Sequence, residues 1–248
     1  MSSEKKMSKR QAMREKRDRQ ARMQRLGLIG IIVVGALLVA GALIYPNIKP
    51  VGAIVTKDPG EHPMANDNAM GDPNAPIRIE EFSDFQCPYC ARFHEETETQ
   101  LVNAYVTTGT VYFVYRSFGD FIGAESKAAA EAAYCAGDQD KFWEYHDILF
   151  ANQTGENVGA FTDRRLQAFA QALSLDMDAF NSCFNSGKYA NRVQQDRIDG
   201  TAAGVTGTPA FVITYTVNGE KKQRFIAGAY PLSQFQTEIE GALAEMGK

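Results

Sequence analysis

Two cysteines separated by two residues, Cys87 and Cys90, end the segment FSDFQCPYC. A pair with this spacing can carry a redox-active disulfide, supply two ligands to a metal ion, or form a structural bridge. A zinc site needs four ligands, and the other two cysteines and three histidines of the chain provide no second closely spaced pair. His94 is the one additional ligand near Cys90, and we expect it to lie on a helix surface. The pattern therefore favours redox chemistry.

The residues that follow Cys87 have the pattern of a helix N-terminus. Pro88 fits the first helical turn, and apolar residues recur until Gly109 ends the helix. Free N–H groups and the helix dipole stabilise negative charge at this end, where the pKa of a cysteine falls from about 8.5 to between roughly 3.5 and 7.5. We therefore predict that Cys87 is the nucleophile and that Cys90, one turn further on, is the resolving thiol.

The first 45 residues predict a membrane anchor. Residues 26–45 carry no charge, and 20 such residues are enough to span a hydrocarbon core of about 30 Å. Residues 1–25 hold ten Lys and Arg against three Asp and Glu, whereas the rest of the chain holds 16 against 27. A basic arm directly before an apolar run favours a topology signal over nucleic-acid binding, with the N-terminus in the cytoplasm. The length of the run favours a retained anchor over a cleaved signal peptide.

The rest of the chain predicts an extracytoplasmic linker and one domain. Residues 46–76 contain six of the nine prolines, which is typical of a linker. Residues 77–248 begin with the pattern strand, helix, strand, and they end with a hairpin and an amphipathic helix. Between these parts, helical patterns fill residues 123–203, which we interpret as an insertion. Disulfides are permitted outside the cytoplasm.

This order of elements resembles the DsbA family of thiol:disulfide oxidoreductases, in its membrane-tethered bacterial form. Three segments carry the resemblance: GDPNAPIRIEEFSDFQCPYCARFHEE, AAYCAGDQDKFWEYHDILF and GVTGTPAFVI. The resemblance implies an α/β thioredoxin fold with an inserted helical domain, preceded by one transmembrane helix. It also implies that the Cys87–Cys90 disulfide is donated to unfolded or reduced exported proteins and is restored by a quinone-linked thiol oxidase of the membrane. No metal or nucleotide cofactor is implied.

The resemblance also assigns roles to residues around the cysteines. Glu81 occupies the position of a partly buried carboxylate that relays the proton of Cys90, although neighbouring acidic residues make this depend on strand register. Pro209 occupies the position of a cis-proline facing the cysteines, which leaves the backbone of Thr208 free to pair with an extended substrate. Tyr89 lies over the thiolate turn, where the best-known oxidases of the family have histidine.

The remaining cysteines, Cys135 and Cys183, both fall in helical segments of the insertion. Four cysteines allow three pairings, and the resemblance implies a structural Cys135–Cys183 disulfide. A second pair that relays electrons is the alternative.

Two other functions fit the same residues. One is an envelope reductase or isomerase, in which electrons flow in the opposite direction or disulfides are rearranged. The other is a non-catalytic thioredoxin-like module that binds a metal or assists assembly.

Overall fold

The computed structural model describes residues 9–48, 50–57 and 60–248, and the chain divides into two compact units. The first unit, Met1–Pro50, contains helix α1, Lys9–Ile48. Within α1, Met13–Tyr45 is long and apolar enough to cross a membrane, and an 18-residue window in it has a mean hydropathy of 2.8. The predicted span 26–45 lies inside this segment. The basic arm is helical from Lys9 onward, and its residues 1–8 lie outside the described part of the chain.

The second unit, Val51–Lys248, is built on a five-stranded mixed sheet. The strands are β1 (Ala69–Met70), β2 (Ile77–Ser83), β3 (Val111–Ser117), β4 (Ala210–Val217) and β5 (Glu220–Ala227). Their order in the sheet is β1-β3-β2-β4-β5, with β2 parallel to β3 and the other neighbours antiparallel. The β4–β5 turn has positive φ at Asn218 and Gly219, as the predicted Asn-Gly hairpin requires.

One long helical segment follows β2 and changes type along its length. It consists of α2 (Pro88–Phe93), the π-helical turn π1 (His94–Glu98), α3 (Thr99–Leu101) and the π-helical turn π2 (Val102–Val106). The last helix of the domain is α9 (Leu232–Glu245). The aromatic ring of Phe93 packs against those of Phe211 on β4 and Phe235 on α9. This contact holds the end of α2 against β4 and α9.

Five helices lie between β3 and β4. They are α4 (Ala124–Gly137), α5 (Phe142–Ala151), α6 (Asp163–Ala172), α7 (Met177–Asn185) and α8 (Ala190–Ala202). Arg116 on β3 connects the sheet to α8, because its guanidinium contacts Asp196 at 2.6 Å and also contacts Asp199. A disulfide joins Cys135 on α4 to Cys183 on α7, with a Cα–Cα distance of 5.8 Å. The structure thus contains the bond that the family resemblance implied.

The predicted linker, residues 46–76, differs from the expectation. Part of it packs on the domain, since Ala69 and Met70 form β1 along β3 and are buried. Further contacts precede β1: Val55 exchanges hydrogen bonds with the side chain of Asn152, and His62 lies 3.3 Å from Asp147. The prolines and glycines of the segment conceal these contacts, because a two-residue strand produces no periodic pattern of its own.

Removing the Cys135–Cys183 disulfide should destabilise the second unit. Its cysteines lie 48 residues apart, and closure of a loop of that length corresponds to at most about 4 kcal/mol on the chain-entropy model. We expect a Cys135→Ala/Cys183→Ala variant of the chain from residue 51 onward to lose up to this amount in guanidinium unfolding. A free energy of unfolding equal to that of the parent chain would contradict the structural role of the bond.

Candidate active site

Cys87 lies at the junction between the sheet and α2. It is the N-cap residue of α2, with extended backbone angles, and its carbonyl accepts the first helical hydrogen bond from the N–H of Ala91 at 3.1 Å. Its side chain is 5% exposed, and its Sγ donates a hydrogen bond to the carbonyl of Thr208 at 3.3 Å. Cys90 is fully buried one turn further on, and both cysteines are free thiols. The site therefore has one thiol with slight exposure and one that is fully buried.

The two thiols have opposite pKa shifts. The pKa of Cys87 falls to about 6, and the largest cause is a hydrogen bond from the Cys90 thiol. Burial raises this pKa, whereas the Thr208 side chain and the N–H groups of Tyr89 and Cys90 lower it further. Burial, followed by the Cys87 thiolate and the charge of Glu81, raises the pKa of Cys90 well above its usual value. At neutral pH Cys87 is thus a thiolate and Cys90 keeps its proton.

The register of β2 decides which acidic residue lies beneath the thiols. Ile77, Ile79 and Glu81 are buried, whereas the alternate residue Glu80 is only partly buried and contacts Arg116 at 2.9 Å on the opposite face. Glu81 is 1% exposed, and its Oε2 has no hydrogen-bond partner within the described part of the chain. Burial, with the charge of Glu98 as the second cause, raises the pKa of Glu81 to about 8. The structure therefore places Glu81, and not Glu80, in the core near Cys90.

The loop before β4 forms the other wall of the site. The Thr208–Pro209 peptide bond is cis, as the family resemblance implied. Beside this loop, a shallow groove of about 350 Å³ has on its rim two aromatic side chains, Tyr89 (56% exposed) and Tyr230 (48% exposed). The guanidinium of Arg92 stacks on Tyr89 and donates a hydrogen bond to the carbonyl of Ala229. Thr208 connects the groove to the thiol, because it lines the groove and its carbonyl lies 3.3 Å from the Cys87 sulfur.

Sequence reasoning missed Gln153, which positions the active-site turn. Its side-chain amide donates hydrogen bonds to the carbonyls of Phe85 at 2.7 Å and Cys87 at 3.0 Å. Gln153 follows the end of α5, 66 residues after Cys87, so no local pattern connects the two. Tyr230 and Arg92 were missed as groove residues, because Arg92 reaches the groove through a contact with Ala229, 137 residues away in sequence.

The expectation for His94 was wrong. Its side chain is 18% exposed and lies 3.1 Å from Glu98 and within 4.8 Å of ligand atoms on His146 and Asp147. The sequence separation of about 50 residues between His94 and His146 hid this cluster, because only the packing of α5 against π1 brings the two histidines together.

Comparison with known proteins places this site in a family. A family model described as thioredoxin matches residues 64–227. The crystal structure of α-DsbA1 from Wolbachia pipientis superimposes with a TM-score of 0.63 at 24% identity, over 75% of this chain and 94% of that one. At this identity the likeness shows the fold. The chain belongs to the thioredoxin family, and the superposition confirms the predicted thioredoxin fold with its helical insertion.

The chain is also similar in sequence to two other proteins. The probable disulfide bond formation protein D of Bacillus anthracis is 27% identical over 199 residues, which cover 77% of this chain and 88% of that protein. The Na(+)/H(+) antiporter NhaA 1 of Salinispora arenicola is 31% identical over 179 residues, or 72% of this chain. The match covers only 25% of the antiporter. The chain thus spans about a quarter of the length of the antiporter and most of the length of the disulfide bond formation protein.

The opposite pKa shifts of the two thiols lead to a titration test. We expect the ultraviolet absorbance of thiolate to appear with a midpoint near pH 6 in the reduced protein, because Cys87 ionises there and Cys90 does not. In Cys90→Ala the midpoint should move to higher pH, since the hydrogen bond that lowers the pKa most is lost. The Cys87→Ala variant is the control and should lack the step. A step that persists in Cys87→Ala would show that another thiol produces it.

Proposed function

We propose that the protein is an extracytoplasmic thiol:disulfide oxidoreductase that donates the Cys87–Cys90 disulfide to reduced exported proteins. The observation that carries the proposal is the Cys87 thiol, whose pKa is lowered to about 6 at the start of α2 beside the cis Thr208–Pro209 loop. A thiolate that is stable at neutral pH is a good leaving group for a substrate thiolate. The resolving thiol, Cys90, is buried where substrate does not reach it.

The proposed reaction has two exchange steps. A substrate thiolate attacks the Cys87 sulfur of the disulfide, so the Cys87–Cys90 bond breaks and a mixed disulfide forms. Cys90 leaves with the electron pair and takes up a proton, for which Glu81 is the nearby acid with a suitable pKa of about 8. The second substrate thiolate then attacks the mixed disulfide and releases Cys87 as a thiolate. The substrate is oxidised by two electrons and the enzyme is reduced by two.

The groove supports a broad range of substrates. Its exposed rings, Tyr89 and Tyr230, offer apolar contact area, and its walls include the backbone around Thr208 and Gly228. Backbone pairing with an extended chain does not depend on the sequence of that chain. Unfolded segments that contain reduced cysteines are therefore the proposed substrates, bound by Tyr89, Thr208 and Pro209.

The proposed setting is the outer side of the bacterial cell membrane. Helix α1 is long and apolar enough to be a single-pass anchor, and the basic arm before it favours a cytoplasmic N-terminus. The oxidised form would be regenerated by a quinone-linked thiol oxidase in the same membrane. The division into arm, anchor, extracytoplasmic segment and DsbA-like domain is part of the proposal.

The reduction potential of the Cys87–Cys90 pair tests the direction of electron flow. A pKa of about 6 stabilises the reduced form at pH 7 by at most about 1.4 kcal/mol, or ~30 mV, relative to an ordinary cysteine. Other contributions are needed to separate an oxidase near −120 mV from thioredoxin near roughly −270 mV. We expect equilibration of the full chain with glutathione buffers to give a value near that of the oxidase. A value near that of thioredoxin would make the protein a reductase.

The role of Glu81 is tested with a variant that keeps its shape. Glu81→Gln removes the ionisable group from the core, so transfer of the Cys90 proton should slow, by about 100-fold if Glu81 acts as a general acid and base. Stopped-flow oxidation of a reduced peptide, followed by quenched trapping of the mixed disulfide, measures this step. The matched control is Glu80→Gln on the opposite face of β2. Equal rates in the parent and Glu81→Gln would exclude the proposed role.

A further inference from the structure

Four side chains outside the thiol site form a buried cluster of potential metal ligands. His94 and Glu98 stand at the two ends of π1, and His146 and Asp147 are consecutive residues of α5. Each offers one ligand atom, and these atoms all lie within 4.8 Å of one another. The cluster therefore brings together two imidazoles and two carboxylates from the helical segment that begins at Cys87 and from the helical insertion.

Each carboxylate of the cluster lies near both imidazoles, and the contacts involve both ring nitrogens of each histidine. Glu98 Oε2 lies 3.1 Å from His94 Nδ1 and 3.9 Å from His146 Nε2. Asp147 Oδ1 lies 3.1 Å from His146 Nδ1 and 4.0 Å from His94 Nε2. Ligands at 2.0–2.1 Å from a tetrahedral zinc ion are separated by about 3.3 to 3.4 Å. One ion binds only one nitrogen of each ring, and with one ligand atom taken from each residue the four atoms lie within 4.8 Å of one another, so binding requires them to move closer together.

An unpartnered nitrogen points to a ligand at this place. The side chain of His146 is 0% exposed, and its Nε2 has no hydrogen-bond partner within the part of the chain that the structure describes. A buried polar atom without a partner costs about 1 to 3 kcal/mol. A cation between His146 and Glu98 would give this nitrogen a partner.

The charges of the cluster also suit a divalent cation. Glu98 and Asp147 are buried carboxylates, with side chains 6% and 12% exposed. Each carboxylate lies within 4.0 Å of both imidazoles. Two carboxylates and two neutral imidazoles together neutralise one divalent ion.

We propose that His94, Glu98, His146 and Asp147 bind one Zn²⁺ ion. Zinc accepts imidazole and carboxylate ligands in tetrahedral geometry, whereas Ca²⁺ and Mg²⁺ prefer sites made of oxygen ligands alone. His62 acts as an outer-shell residue, because its Nε2 lies 3.3 Å from Asp147 Oδ2 and holds that carboxylate in place. A pocket of about 290 Å³, lined by His62, His94, Glu98 and Asp147 among others, adjoins the cluster.

The proposed ion has a structural consequence. Its ligands come from π1 and α5, and its outer-shell partner comes from the segment before β1. Zinc would therefore join three parts of the second unit that are far apart in sequence.

The test uses the full chain in detergent micelles with the Cys87–Cys90 pair fully oxidised. A free-thiol assay verifies the oxidation, which leaves no thiolate available to bind metal. Co²⁺ is the spectroscopic probe and Zn²⁺ the competitor. We expect one Co²⁺ per chain, with the strong visible absorption of four-coordinate cobalt, and complete displacement by one equivalent of Zn²⁺. Zinc should also raise the melting temperature of the oxidised protein.

Four variants separate the proposed ligands from their neighbours. His94→Gln and Glu98→Gln each remove a ligand and should weaken binding by more than 100-fold. His62→Gln removes the outer-shell contact and should weaken it by about 10- to 100-fold. The matched control is Glu95→Gln, because Glu95 lines the same pocket but lies outside the four ligands. Its affinity for cobalt should equal that of the parent.

Three results would overturn the proposal. The first is the absence of stoichiometric cobalt or zinc binding to the oxidised full chain. The second is a loss of affinity in Glu95→Gln as large as in Glu98→Gln, which would indicate a diffuse acidic surface. The third is an X-ray absorption spectrum of the zinc-loaded parent protein without imidazole scattering. This last measurement needs no variant, so it decides the question even if a substitution prevents folding.

Discussion

The stabilisation of negative charge on Cys87 is the interaction on which the rest of the site depends. It combines the Cys90 thiol, the Thr208 side chain and the first N–H groups of α2, which come from two separate parts of the chain. The long helical segment provides the N–H groups, and the loop before β4 provides Thr208. The sheet order, with β2 between β3 and β4, is what holds the start of α2 next to that loop.

The core near the thiols contains two buried carboxyl groups, those of Glu81 and Glu98. Glu81 and Glu98 are both nearly fully buried, and the charge of each bears on the other. Burial of an unpaired charge is costly, so such groups either lose their charge or acquire partners. The pKa values of the two carboxyl groups shift in opposite directions. Glu81 has a raised pKa and becomes neutral near pH 7, whereas the imidazoles of His94 and His146 keep the pKa of Glu98 low despite its burial.

Much of the fold follows from local sequence signals. Pro88 and Gly109 mark the ends of the long helical segment, the Asn218-Gly219 pair determines the last hairpin, and the helical patterns of 123–203 agree with five helices within a residue or two at each end. Such signals act over a few residues, and the chain need not be folded for them to be recognised. The two π-helical turns have no comparable signal in the sequence.

The features that sequence reasoning missed all depend on distant contacts. β1 exists because β3 offers an unpaired edge, Gln153 reaches the carbonyl of Cys87 only after α5 has packed, and the histidine cluster needs residues about 50 positions apart. The choice of Glu81 over Glu80 likewise required the register of β2, which is fixed by pairing with β3 and β4. Successive side chains of a strand point to opposite faces of the sheet, so a shift of one residue would exchange the two.

The Cys135–Cys183 disulfide has a consequence for how the molecule matures. A newly made chain carries four thiols, and the proposed reaction is itself the exchange of disulfides, so the protein must keep one pair permanently closed while the other opens and closes. Exposure does not separate the two pairs, because Cys183 is 8% exposed and Cys87 is 5% exposed. What differs is position: Cys87 stands at the start of α2, whereas Cys135 and Cys183 lie in the last turns of α4 and α7. An attacking thiolate, including the Cys87 of a neighbouring copy, would have to expel a thiolate near a helix C-terminus, where negative charge is disfavoured and the thiolate is a poor leaving group. The chain is thereby protected from its own chemistry.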